Sequence, residues 1–233
     1  MNASMQALQI EKVGPLETLS QPLTMVTLPR PSPGVGEVLI RVSVCAICHT
    51  ELDEIEGRTA PPILPMTPGH QAIGVVEELG HGVVSPAEGT RVGVAWIYHA
   101  CGQCSYCHSG QENLCEHFLA TGRDRPGGYA EYMTAPADFV YPIPDSLSDE
   151  HAAPLLCAGA IGMRSLKLAA LETGRPLGLT GFGGSNHLVL KAARHLFPDS
   201  PVIVWARNPA ERELADKLGA HWSGDTEESP PLA

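Results

Sequence analysis

Residues 101–115 read CGQCSYCHSGQENLC, and four of the chain's seven cysteines stand in this stretch at the spacing C-x2-C-x2-C-x7-C. No other feature restricts the fold as strongly. Zn2+ favours four thiolates in a tetrahedron. Two-residue gaps let Cys101, Cys104 and Cys107 fold back around one ion, and the longer excursion brings Cys115 round to close the shell. Four protein ligands leave no open position, so the predicted ion is structural. Two alternatives compete: a pair of disulfides in a secreted loop, and a free-standing zinc ribbon that binds nucleic acid. The N-terminus MNASMQALQIEKVG has neither a basic n-region nor an apolar h-region. The predicted compartment is therefore the cytoplasm, where clustered thiols more often bind metal than pair. Fifteen Lys and Arg against 26 Asp and Glu give a net charge of −11. Nucleic acid and anionic membranes both need a basic face, so neither is predicted as a partner. No apolar run is long enough to span a bilayer.

The remaining cysteines are scattered. GEVLIRVSV (36–44) alternates, with Val38, Ile40, Val42 and Val44 on one side and Leu39, Arg41 and Ser43 on the other, which predicts a strand. Cys48 lies just past its end. In MTPGHQAIGVVEEL (66–79), Pro68-Gly69 makes a turn, His70 follows, and a second strand begins. HAAPLLCAGAIGM (151–163) puts Cys157 in an apolar, Ala-rich segment. Cys48, His70 and Cys157 would form a three-ligand set with a fourth position open, the pattern of a catalytic zinc. Spacing alone leaves blander readings standing: a His after Pro-Gly is usually a turn residue, and a Cys in an Ala-rich run is usually core packing.

LGLTGFGGSNHLVLKAARHL (177–196) reads as a short strand, a glycine turn and a helix. The predicted helix face carries Leu188, Ala192, His195 and Leu196, with Lys191 and Arg194 off it. PVIVWA (201–206) reads as a buried parallel strand, and NPAERELADKLG as a helix with Asn208 as N-cap, Pro209 at its first position and Gly219 as its stop. Gly181, Gly183 and Gly184 would let the backbone approach a pyrophosphate resting on the helix N-terminus. Asn186 stands at the third glycine position, which predicts looser helix–strand packing. At the end of the second strand Ala206-Arg207 replaces the acid that NAD binders place on the ribose. An arginine there attracts a 2′-phosphate, so NADP is predicted over NAD.

In order, Cys48-His49-Thr50, Gly69-His70, the four-cysteine stretch, GGYAEYM (127–133), APLLCAG (153–159) and GFGG resemble the zinc-dependent alcohol dehydrogenases of the medium-chain dehydrogenase/reductase superfamily. The resemblance implies an α/β plus all-β fold: a GroES-like β-barrel catalytic domain over 1–155, its four-Cys zinc lobe at about 99–117, and an incomplete Rossmann domain over 156–233. It implies hydride exchange between NADP or NAD and a small primary alcohol or aldehyde, with two zinc ions per chain. Cys48, His70 and Cys157 would hold the catalytic ion, and Cys101, Cys104, Cys107 and Cys115 the structural one. Thr50 matches the hydroxyl that bonds the alcohol, His49 a position that reaches the cofactor phosphates, and Glu51 a carboxylate that orients His70. Cys45 is left for packing. Asp53 stands where many members have a relay histidine, and Gln71 where a glutamate is usual. Trp96 and Ile97 fit either a cleft or the core.

Only two strands of the second sheet are recognisable, and GAHWSGDTEESPPLA is polar and acidic. The expectation is a truncated member with a frayed tail, an exposed edge at 201–206, and without the segment through which the family forms homo-oligomers. The alternative function is a catalytically inactive zinc-binding fragment of such an enzyme.

Overall fold

The computed structural model describes residues 3–231. The expected domain limits at 1 and 233 and the last two residues of the predicted tail lie outside the described residues. The chain divides into two compact units, Met1–Cys157 and Ala158–Ala233.

In the first unit, β1 (Ser4–Gln9) and β2 (Thr24–Pro29) form an antiparallel pair. β3 (Glu37–Cys45), β4 (Ala72–Leu79) and β5 (Arg91–Val94) begin a second sheet. β6 (Ile97–His99) and β7 (Leu119–Ala120) pair with each other and bracket the four-cysteine stretch. β8 (Tyr132–Pro136) and β9 (Val140–Pro142) return to the larger sheet, whose order is β8-β3-β4-β5-β9, antiparallel throughout. Val38, Ile40, Ala72, Val76, Val92 and Met133 form the core on one face.

The alternation predicted for β3 breaks at a register shift between Val42 and Val44. Such a bulge adds one residue and exchanges the faces beyond it. Val44 therefore packs with Ile73, Ala152 and Ala153 on the other face, while Cys45 joins Val42 against the main core. This reverses the expected sides of Val44 and Cys45. Burial pushes the Cys45 thiol up to about 12, with Glu51 adding to the rise and a backbone hydrogen bond from Gln71 opposing it. α1 (His49–Glu56) starts directly after Cys48 and stops at Gly57. α2 (Ser105–His108) lies in the cysteine lobe. α3 (Asp149–Ala152) runs into a 3₁₀ turn, Ala153–Leu156, that ends at Cys157.

The second unit alternates helix and strand: α4 (Ala158–Leu168), β10 (Leu177–Thr180), α5 (Asn186–Leu196), β11 (Val202–Trp205), α6 (Pro209–Lys217) and β12 (Trp222–Gly224). The strands make a parallel sheet in the order β10-β11-β12. Two expectations change here. β11 is the central strand, with Val202, Ile203 and Val204 buried, and not an exposed edge. The tail is ordered through Glu228: Trp222–Gly224 pairs with β11, Trp222 meets Trp205 edge-on at 5.7 Å, and Trp205 Nε1 donates to the Glu228 carbonyl. A three-residue polar strand leaves no period in the sequence, so only its partner reveals it. α5 also turns differently from the expected face. Val189, Leu190 and Ala193 are buried, while His195 and Leu196 are exposed. The inward stripe runs at i, i+1 and i+4; of the expected face Ala192 packs against this core and Leu188 is half-buried, while its C-terminal pair turns to solvent. The α6 start is as predicted: the Asn208 side chain accepts from the Ala210 N–H at 3.0 Å and Pro209 is the first helical residue.

Candidate metal centres and nucleotide cleft

The four sulfurs of Cys101, Cys104, Cys107 and Cys115 lie within 4.8 Å of one another. Cys101–Cys107 is 3.9 Å and Cys104–Cys107 is 3.6 Å. A tetrahedral zinc with Zn–S near 2.3 Å has an S–S edge of about 3.8 Å, so these separations suit one ion. They are nearly twice a disulfide bond length, and all seven cysteines are free, which removes the disulfide alternative. Backbone N–H groups of Cys101 and His117 point at Cys115 Sγ, and that of Gln103 at Cys101 Sγ. N–H groups of Gln103 and Cys104 pull the Cys101 thiol down to about 6. Amides aimed at sulfur favour the thiolate that a metal requires.

The scattered trio also converges. Cys48, His70 and Cys157 bring one ligand atom each to within 4.8 Å of one another, with the two sulfurs 3.9 Å apart. Cys48 is the residue before α1. His70 follows Gly69, whose φ is +102° and where a Cβ would stand 2.6 Å from the Tyr129 ring. Only glycine fits that turn, and the turn aims His70 inward. His70 is 1 % exposed. Its Nδ1 lies 2.7 Å from Glu51 Oε1. The other Glu51 oxygen accepts from the Cys48 N–H at 2.7 Å. One carboxylate thus orients two of the three residues. Among the described residues neither buried ring nitrogen of His70 makes a hydrogen bond of good geometry; Nδ1 faces Glu51, and Nε2 is the nitrogen left for a metal. Two sulfurs and an orphaned imidazole nitrogen in one spot fit a zinc ion with one position left open.

The electrostatics run the same way. Contact with the Cys157 thiol and with His70 pulls the Cys48 thiol down to about 3, against the opposing effect of burial. Cys157 is pushed far upward, first by its contact with Cys48 and then by burial. Thr50 Oγ1 lies 3.5 Å from Cys48 Sγ. His49 is mostly exposed and stands 3.6 Å from Asp53, which also pairs with Arg58.

Two neighbours carried no clear signal in the sequence. Trp96 meets the His70 ring edge-on at 4.9 Å. Glu54 is fully buried and neither of its oxygens has a partner. Burial first, then Glu51, pushes its carboxyl up to about 8. In the string ELDEIE it reads as one more solvated charge.

In the second unit a cleft of about 870 Å³ lies at the carboxyl ends of β10 and β11. Gly181, Phe182, Gly183, Arg207, Asn208 and Glu211 line it. A Cβ on Gly181, Gly183 or Gly184 would meet nothing within 4 Å, so the loop backbone faces open space. No side chain caps the α5 N-terminus. Asn186, at the third glycine position, donates to the Thr180 and Gly181 carbonyls at 2.9 Å each and ties the helix back to the strand. Glu211, one turn into α6, accepts from the Phe182 N–H at 3.2 Å. It brings a carboxylate to the cleft from α6, where the end of β11 carries none.

An antiparallel sheet with a cysteine lobe and a metal-type trio, followed in the chain by a parallel-stranded α/β unit, defines the class of fold. The alcohol dehydrogenase GroES-like domain family matches residues 34–145. Over 235 residues the chain is 42 % identical to the probable alcohol dehydrogenase AdhA of Mycobacterium tuberculosis, covering 99 % of this chain and 67 % of that protein. It is 41 % identical to an alcohol dehydrogenase of Geobacillus stearothermophilus, covering 90 % and 62 %. Among solved structures, a cobalt- and zinc-bound alcohol dehydrogenase from Pyrobaculum aerophilum has TM-score 0.85 and 28 % identity, covering 95 % of this chain and 65 % of its own. CAD from Helicobacter pylori, complexed with NADP(H), has TM-score 0.84 and 26 % identity, covering 96 % and 65 %. The chain belongs to the alcohol dehydrogenases of the medium-chain dehydrogenase/reductase superfamily. It spans roughly two thirds of the length of these relatives.

Proposed function

We propose that the protein acts in hydride exchange between a nicotinamide cofactor and a small primary alcohol or aldehyde, with two zinc ions. The observation that carries this reading is the buried His70 imidazole, without a hydrogen-bond partner among the described residues, beside two cysteine sulfurs. Cys48, His70 and Cys157 would hold the catalytic ion, and Cys101, Cys104, Cys107 and Cys115 the structural one. When bound, zinc supplies a Lewis acid for the alcohol or aldehyde oxygen, and the nicotinamide supplies or accepts hydride. Glu51 keeps the His70 proton on Nδ1 and so keeps Nε2 free to bind. Thr50, beside Cys48, would accept the alcohol proton at its Oγ while passing its own hydroxyl proton on. His49 and Asp53 lie on the exposed side of α1, where that proton can reach water. Trp96 covers one edge of His70 and limits its contact with solvent.

The loop amides at Gly181, Gly183 and Gly184 and the α5 N-terminus would take the diphosphate. Arg207 favours a 2′-phosphate, and we assign NADP ahead of NAD; NAD affinity equal to or above that for NADP in a titration rejects this preference. The domain reading is a catalytic domain over 1–155 and a nucleotide-binding domain over 156–233. Among the described residues no helix is long and apolar enough to cross a membrane. A cytoplasmic protein with a small-molecule alcohol or aldehyde as its partner completes the reading.

The test mixes the zinc-loaded chain with NADPH and a panel of aldehydes and follows loss of reduced-nicotinamide absorbance. Turnover supports the reading. Two bound zinc ions with no turnover on any aldehyde favour the second reading, a non-catalytic zinc-binding protein.

A further inference from the structure

The three residues that converge on the first-unit site arrive by different routes. Cys48 stands three residues past the end of β3 and His70 two before β4, and between them the Ala46 N–H donates to the Gln71 carbonyl at 3.0 Å, so both lie beside paired strands. Cys157 has no strand behind it. It ends a run from Pro144 that contains only α3 and one 3₁₀ turn. Ala152 and Ala153 pack on Ile73, and Leu156 packs over Gly93, where a Cβ would stand 2.8 Å from it. Ile143 and Leu147 pack on the same cluster, and the Ile143 N–H donates to the Arg91 carbonyl at 3.1 Å.

Arg91 on β5 supplies the directional contact. Its Nε donates to Asp149 Oδ1 at 2.6 Å, its Nη2 to the Leu147 carbonyl at 2.7 Å and its Nη1 to the Pro144 carbonyl at 3.1 Å. The other Asp149 oxygen accepts from Ser43 Oγ on β3 at 2.5 Å, and the same hydroxyl lies 3.0 Å from the Ile73 carbonyl on β4. One cluster therefore touches β3, which leads to Cys48, β4, which follows His70, and the run that leads to Cys157. A planar guanidinium bound at three acceptors fixes both the position and the rotation of the segment it holds, whereas an ammonium is a point charge on a flexible stem.

We propose that Arg91 and Asp149 are positioning residues for Cys157: their clasp sets where the third donor stands relative to Cys48 and His70. This rests on the reading of that trio as a metal site. The whole zinc-loaded chain, challenged with a chromogenic chelator, should release metal in two phases, and Cys48→Ser, which lacks one of them, identifies which phase belongs to which site. Arg91→Met and Asp149→Asn should speed release from the trio at least about tenfold, the scale on which supporting residues alter metal affinity, and leave the lobe phase unchanged. Arg91→Lys should restore part of the slow release. A lower melting temperature with both phases unchanged overturns the proposal, because the clasp then only holds the fold. If Arg91→Met does not fold, Ser43→Ala carries the same test with the guanidinium contacts kept: faster trio release supports the clasp and unchanged release overturns it. A wild-type chain that takes up only the lobe ion overturns the metal reading itself, and the proposal with it.

Discussion

Glu51 serves two masters, the Cys48 N–H and His70 Nδ1, at 2.7 Å each. Its loss should be felt by the metal before it is felt by the fold. Glu51→Ala is expected to weaken zinc binding at the trio by about 10–100-fold, read by competition with a chelator of known affinity, with the lobe ion retained. Cys48→Ser should bring metal content from two zinc ions per chain to one, and two full equivalents in that variant would reject Cys48 as a ligand. Glu54 makes a prediction of the opposite kind. Its folded-state value is raised from 4.5 to about 8. The folded protein therefore holds a proton that the unfolded chain releases, and stability falls as pH rises through that window. Glu54→Gln keeps the shape and removes the titration. Denaturant midpoints measured across this range should decline for the wild type and stay level for the variant. The resemblance singled out Glu51, but nothing in the string shows that Glu54 also faces inward, so its burial awaited the docking of α1.

Elements were legible where a pattern repeats over several residues. β3 and β4 read as strands, α5 and α6 as helices, and the Asn208-Pro209 start of α6 from residue chemistry alone. Replacing Asn208 by Ala should cost about 1 kcal/mol, the usual effect of losing such a cap, measured as a shift in unfolding free energy of the second unit. Faces were less legible than elements. The β3 bulge exchanged Val44 and Cys45, and α5 rotated away from its expected stripe, because the choice of face is settled by the neighbour that covers it. β12 was unreadable for a related reason: Trp222, Ser223 and Gly224 become a strand by pairing with β11.

At the scale of the whole chain, both candidate metal sites fall within Met1–Cys157 and the glycine cleft within Ala158–Ala233. Removing zinc with a chelator should raise amide hydrogen exchange around Cys48, His70, Cys157 and the 101–115 lobe while leaving β10, α5 and β11 protected. Equal loss of protection in both units would reject this division of labour. The sequence by itself determined the lobe, because its ligands span 14 positions and short gaps leave few ways to surround an ion. It also determined the strand–glycine–helix unit, whose parts are neighbours along the chain. Only the tertiary structure decided that Cys48 and Cys157, 109 positions apart, meet at 3.9 Å around a partnerless imidazole nitrogen. Sheet register, a bulge and the docking of a strandless run set that meeting, and these follow from long-range contacts that no local spacing encodes.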